Sequence, residues 1–191
     1  LTTRVERDFE FDMGIHFNNT FYVNSYLITI SMLVETESIK EQNIALDRIL
    51  HFLGLVLHSA VFVHQDDVEA INKYKNADIR VCTLPEEPYD QIISMVLLVK
   101  LNAITEGRLV ITDLTLGSTM SDGVRFCTVA EVAVNMIDNS PELWWNAPAL
   151  CIEHCSKDLD DSKVVKLFGQ TGWAEVGLEW KQKQKLNDQS N

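Results

Sequence analysis

The chain has no tryptophan before position 144, no cysteine before position 82, no Cys-x-x-Cys pair and no run of lysine or arginine. Each absence narrows the function. Four cysteines in 191 residues fit a reduced, cytoplasmic compartment (or a virion, for a viral protein) better than a disulfide framework. The densest basic stretch is KQKQK at 181–185, in a polar tail, and 28 acidic against 16 basic residues leave a net charge of −12. A surface of that sign repels phosphate backbones, so nucleic acid is not an expected partner. The longest apolar run, Ile49 to Val63, is 15 residues long and contains two histidines. A membrane-spanning helix needs about 20 apolar residues, so no membrane partner is expected. The opening stretch LTTRVERDFEF lacks the apolar centre of a signal peptide. No nucleophile elbow, phosphate loop or dinucleotide fingerprint occurs, and nothing implies a cofactor.

What is present is strong alternation. Val5, Phe9, Phe11, Met13, Ile15 and Phe17 fall on one face of a strand; Arg4, Glu6, Asp8, Glu10, Asp12 and His16 fall on the other. Asn18-Asn19-Thr20 breaks this strand. SYLITISMLVET, 25–36, forms a second strand, and the two pair as an antiparallel hairpin with a longish loop. Ser38 with Glu41 opens a helix over 38–59. A polar connector with room for a short helix, HQDDVEAINKYKNAD, and a short strand, IRVCTL, follow. Pro88 opens a helix running to Gly107, and RLVITDLTLGST and GVRFC form a second hairpin. Thr128 and Glu131 form another capping pattern. The order predicts an α+β fold: an antiparallel sheet of two hairpins (ββααββ) with helices on one face, plus a C-terminal α/β appendage. The divisions expected are 1–127 for the main domain, 128–180 for a tryptophan-rich appendage and 181–191 for the tail.

DFEFDMGIHF at 8–17 resembles the first strand of the 6-pyruvoyl- and 6-carboxy-tetrahydropterin synthases, members of the tunnelling-fold (T-fold) proteins. VHQDDVEAIN at 63–72 is similar to that family's catalytic His/Asp segment, and LVITDLT at 109–115 to the strand with its acidic ring anchor. The likeness covers roughly residues 4–127. It implies a homo-oligomer that closes its sheets into a barrel and binds a pterin- or purine-like ring at subunit interfaces, near Asp113. It matches His16 to a zinc ligand and His64 with Asp66 to the catalytic pair. The family's His-x-His on the second strand is absent from FYVNSY, and its nucleophilic cysteine has no counterpart before Cys82. A catalytic zinc takes three protein ligands. The expectation is therefore no catalytic residue, no metal and no zinc-dependent synthase activity. The ligand-binding candidates are Asp113, His64, Asp66 and His16.

Each candidate also has a plain reading. His16 is a polar-face histidine at a strand end, and His64 with Asp66 and Asp67 is a solvated turn. Asp113 interrupts an apolar strand, where a carboxylate needs a partner unless it faces water. Cys151, Glu153, His154 and Cys155 include metal-ligand types without a finger's spacing. Trp144, Trp145, Trp173 and Trp180 concentrate in the last part of the chain. Tryptophan favours contact surfaces, so residues 141–180 are the expected site for a protein partner; the alternative is that they cover the sheet. A second function remains open: a non-catalytic structural or assembly subunit of a larger cellular or viral (phage) particle.

Overall fold

The computed structural model describes residues 2–35 and 39–150. It is an α+β fold built on a long hairpin. Strand β1 (Thr2–Phe17) and strand β2 (Thr20–Glu35) pair antiparallel from Phe17↔Thr20 out to Thr2↔Glu35. The loop expected between them is a turn of two residues, and β2 starts five residues earlier than its apolar alternation suggested. The reason is local: Asn18 and Asn19 both take left-handed backbone, φ 50° and 58°, which suits the twist of a tight hairpin. Asparagine tolerates that region better than most residues.

Helix α1 (Ile39–His51) continues into a wider helical turn over Phe52–Leu57. Strand β3 (Val61–His64), helix α2 (Val68–Asn76) and strand β4 (Val81–Leu84) follow. Next come helix α3 (Asp90–Thr105), strand β5 (Val110–Ser118), strand β6 (Arg125–Val129) and helix α4 (Ala130–Met136). The six strands form one sheet in the order β4-β3-β1-β2-β5-β6. The purely antiparallel sheet predicted from the sequence is corrected here: β3 and β4 add to β1 in parallel. β4 falls within the short strand expected at IRVCTL, whereas VFV of β3 runs on from an apolar helical segment without alternation, and neither run reveals its pairing direction. The predicted antiparallel part is present as β1-β2-β5-β6, each strand beside its neighbour in that order.

The main core lies on one face. Phe9, Phe11, Met13 and Ile15 of β1 and Tyr26, Ile28, Ile30 and Met32 of β2 pack under α1 and α3. Residues 93–101 of α3 are buried without exception, as expected of a helix that is apolar on all sides. A smaller cluster lies on the opposite face at the β3 end, where α2 covers Val61, Val63 and Val81 with Ala70 and Tyr74. Beyond α2 the outer face is open and polar. There Asp8 accepts a hydrogen bond from Thr29 (2.7 Å) and Asp12 from Ser25 (2.5 Å).

Residues 151–180 of the predicted appendage lie outside the described residues, and 128–150 join the main domain across the boundary predicted at 127/128. Strand β6 runs through it, and Thr128, predicted as a cap, shares a buried 2.7 Å hydrogen bond with Ser94 of α3. Residues 144–150 close the end of the main core. Lys100, fully buried in α3, donates to the carbonyls of Trp144 (2.6 Å), Ala147 (2.8 Å) and Ala149 (2.8 Å). Arg48 of α1 donates to the carbonyls of Ile104 (2.6 Å) and Pro148 (3.0 Å). Among the described residues no helix is long and apolar enough to cross a membrane.

Replacing Lys100 with methionine keeps the length and loses the donor. Of the three carbonyls only that of Trp144 is held in a fully buried hydrogen bond; left unpaired it costs roughly 1–3 kcal/mol, so Lys100→Met is expected to lose about 1–3 kcal/mol of stability. Urea unfolding measures this. A loss below 1 kcal/mol would mean that the carbonyls find other donors.

Candidate functional site

The predicted site residues do not converge. Asp113 sits on the open outer face. Its partner across β2 is Ser31, which faces Glu6 of β1. His16 lies ten residues further along β1, roughly 33 Å away at 3.3 Å per residue. Asp113 has its partners locally: Thr112 Oγ1 donates to it at 2.6 Å and Arg4 Nη2 lies at 3.4 Å. Thr112 is the extra residue of a bulge between Ser31↔Asp113 and Met32↔Ile111. Asp113 thus stands as an ion-paired carboxylate at the wet face, at neither of the two cavities described below.

His16 was expected at a polar face and is in fact 6% exposed. The reason is α2, which covers this part of the sheet. His16 Nδ1 hydrogen-bonds the Tyr74 hydroxyl at 2.8 Å, and Nε2 lies 3.4 Å from Asp67 Oδ2. Asp67 also caps α2 by accepting the Ala70 N–H at 2.9 Å. Burial, and then the charge of Asp67, push the Tyr74 hydroxyl upward in pKa. Gly14 makes the packing possible. A Cβ there would stand 2.5 Å from the Phe21 ring and 2.9 Å from Val61. His64 ends β3 on the face of Phe62, away from His16. Its Nδ1 accepts the Asp66 N–H at 3.3 Å, within a turn. The aspartate that meets a histidine is therefore Asp67, and the histidine is His16.

Trp144 and Trp145, for which a contact surface and a cover over the sheet were both expected, are 4% and 1% exposed. They fill the core because the chain after α4 folds back over α3. Trp144 Nε1 donates to the Thr83 carbonyl of β4 at 2.8 Å, and Trp145 Nε1 to the Asp138 carbonyl at 2.9 Å. Trp173, Trp180 and the Cys151–Cys155 group lie outside the described residues. Among the described residues no three His, Cys, Asp or Glu side chains gather to hold a metal ion.

Two concavities remain. A broad groove of about 640 Å³ crosses the outer sheet face, with Glu10 and Asp12 on one side, Arg125 on the other and His58 at one end. A smaller cavity of about 330 Å³ lies between the hairpin end, the start of α3 and the turn before β6. Phe17, Tyr22, Tyr89 and Phe126 line it with Asn24 and Asp90. Asn24 is fully buried. Its Oδ1 accepts from Thr119 Oγ1 (2.7 Å) and from the Met120 N–H (3.1 Å), and its Nδ2 has no hydrogen-bond partner. The Tyr26 hydroxyl beside it is also unpartnered. Burial, then the Asp90 charge, raise the Tyr26 pKa; the nearby Asn24 amide acts the other way. Asp90 accepts from Ser118 Oγ at 2.6 Å. Sequence reasoning passed over both residues: Asn24 sits in a strand, Asp90 in a first helical turn, and each has an ordinary role there.

No family model matches the chain, and no curated protein is similar to it. Among solved structures, that of an uncharacterized protein from Wolinella succinogenes matches with a TM-score of 0.50 and 10% identity. The match covers 68% of this chain and 98% of the other. At that identity the likeness is one of fold.

Burial holds the Asp90 carboxyl above its ordinary pKa of 3.8, against the Ser118 hydrogen bond. The folded protein therefore binds this proton more tightly than the unfolded chain. The stabilisation is full below the unfolded value and is lost as pH rises through the folded value. Asp90→Asn is expected to be more stable than the natural chain at pH 7, with the gap closing as pH falls toward about 4. Urea midpoints at both pH values check this, and an unchanged or lower midpoint at pH 7 would contradict it.

Proposed function

We propose that the protein is an oligomeric T-fold-like subunit without zinc-dependent synthase activity, which holds a pterin- or purine-like ring where two copies meet. The observation that carries this reading is the free edge of β6. Among the described residues nothing pairs with it, whereas the other sheet edge, β4, is capped at Thr83 by the Trp144 indole. Unpaired strand edges invite another strand. Val129 on that edge is 45% exposed, and Val124 just before it is 54% exposed. The sequential antiparallel unit β1-β2-β5-β6 has the strand order that the resemblance implies. The small cavity is bordered by Val124 and Phe126, so a strand laid along β6 would approach its open side.

The residues present do not fit the zinc of the resembled family. His16, the matched ligand, is engaged by Tyr74 and Asp67, and the segment from Phe21 to Tyr26 contains no histidine. A three-ligand zinc site has no second and third donor there.

A second reading, a structural subunit of a larger cellular or viral particle, is favoured by α4. Val132, Val134 and Met136 on it are 49%, 46% and 63% exposed, an apolar surface next to the free edge.

Native mass spectrometry separates these readings. A closed oligomer of defined number that retains a small-molecule mass is expected. Val129→Lys places a charge on the edge and is expected to shift the protein to monomer. A monomer in the natural chain would overturn the oligomeric reading. Heterogeneous or open-ended assembly without a small molecule would favour the particle subunit.

A further inference from the structure

We infer that the cavity beside the start of α3 binds a flat ring with an amide edge, an N–H next to a C=O, read by Asp90 and Asn24. The inference rests on the ligand-binding half of the function proposed above, and it moves the anchor from Asp113 to this pair.

The orientation of Asn24 is set by a group that can only donate. The Met120 backbone N–H faces its side chain at 3.1 Å, so the atom there is Oδ1. Thr119 Oγ1 donates to the same oxygen. The NH₂ group is left over, fully buried on a residue that lines the cavity; the Tyr26 hydroxyl lies beside it without a well-formed hydrogen bond, and of its two N–H donors at least one has no protein acceptor. A buried donor without an acceptor costs stability, and a site that keeps one is waiting for an acceptor from elsewhere. Asp90 supplies the opposite need. Its carboxylate lines the same cavity, takes one hydrogen bond from Ser118 and has room for further donors.

These two groups select the ligand between them. An ammonium would suit Asp90 but would confront the Asn24 NH₂ with another donor. A carboxylate would suit Asn24 but would be repelled by Asp90. A neutral group with one donor beside one acceptor satisfies both, and an amide edge has that form. The walls choose the rest of the molecule. Phe17, Tyr22, Tyr89 and Phe126 offer ring faces and edges suited to a flat body. A volume of about 330 Å³ accepts one or two fused rings. No Lys or Arg lines the cavity, so a phosphate on the ring has no counter-charge there.

Matched probes test this by calorimetry and amide NMR on the full chain: uracil against pyrimidine, hypoxanthine against purine, and quinazolin-4-one against quinazoline. At least one amide-edged member should bind the natural protein tenfold or more tighter than its partner, with shifts at Asn24 and Asp90. Asp90→Asn and Asn24→Asp should each weaken it tenfold or more. Tyr89→Ala, at a residue 56% exposed, should weaken it without lowering the melting temperature. If Asn24→Asp does not fold, the half-buried Asp90 and exposed Tyr89 variants decide. Equal affinity within every pair, no binding by any amide-edged probe, or binding unmoved by Asp90→Asn and Tyr89→Ala overturns the inference. A closed oligomer that ignores all six probes would defeat this inference and leave the assembly reading standing. A monomer that binds through Asn24 and Asp90 would do the reverse.

Discussion

The ammonium of Lys100 holds the architecture together at its far end. A charge buried in an apolar helix is costly unless its hydrogen-bonding capacity is met. Here three carbonyls from one short segment accept from it, and the rings of Phe52 and Trp144 lie 5.4 and 5.8 Å away. The segment cannot leave without uncovering the charge. Its position sets that of Trp144, and the Trp144 indole reaches the Thr83 carbonyl on β4. One buried cation thus closes the core and blunts one sheet edge. The opposite edge, β6, has no such device among the described residues. The asymmetry between the two edges follows from Lys100 through Trp144.

How much of this could be read from the residues depends on where the information sits. The alternation of β1 is local, and it placed Phe9, Phe11, Met13 and Ile15 in the core and Asp8, Glu10 and Asp12 on the open face. The order of the two hairpins and the principal helices was legible for the same reason. The parallel pairing was not, although IRVCTL is legible as a short strand. β3 and β4 are four residues each, and their pairing with β1 is decided by tertiary contact rather than period. The tryptophans left two readings open because composition identifies a residue's taste for large contacts without saying with whom. Trp144 and Trp145 satisfy it inside their own domain.

The site shows a sharper divide. His16 and Tyr74 are 58 positions apart, and their bond exists because β3 lies beside β1 and carries α2 over its end. Nothing near His16 in the chain announces Tyr74. The family likeness drew attention to His16 and to the segment after His64, and both stretches do meet, through Asp67. Their meeting places a capped helix on a histidine. Asp113 was picked out for its apolar neighbours in sequence, yet the strand's alternation and a one-residue bulge set it at the open face with Arg4. Asn24 and Asp90 offered no signal, because a lone asparagine in a strand and an aspartate opening a helix are commonplace.

Buried polar groups in this protein fall into two kinds, and the difference separates structure from function. Lys100 and Arg48 are matched to carbonyls, and Ser94 is matched to Thr128. Among the described residues three buried side-chain atoms make no hydrogen bond: His16 Nε2, Asn24 Nδ2 and the Tyr26 hydroxyl. The first has a carboxylate 3.4 Å away, so its environment is electrostatically answered. Of the other two, Asn24 lines a cavity that also contains a carboxylate held above its normal pKa by burial, and the Tyr26 hydroxyl lies beside its amide. The positive end of α3 offsets part of that carboxylate's cost and cannot remove it. Asp90→Asn would remove the buried charge without touching the cation-and-carbonyl lock at the other end of the domain, whereas Asn24 also serves the fold by accepting from Thr119 and Met120. Polar groups kept at a cost to stability, gathered at one opening and lined with rings, are the arrangement expected where a fold has given up some stability to recognise something else.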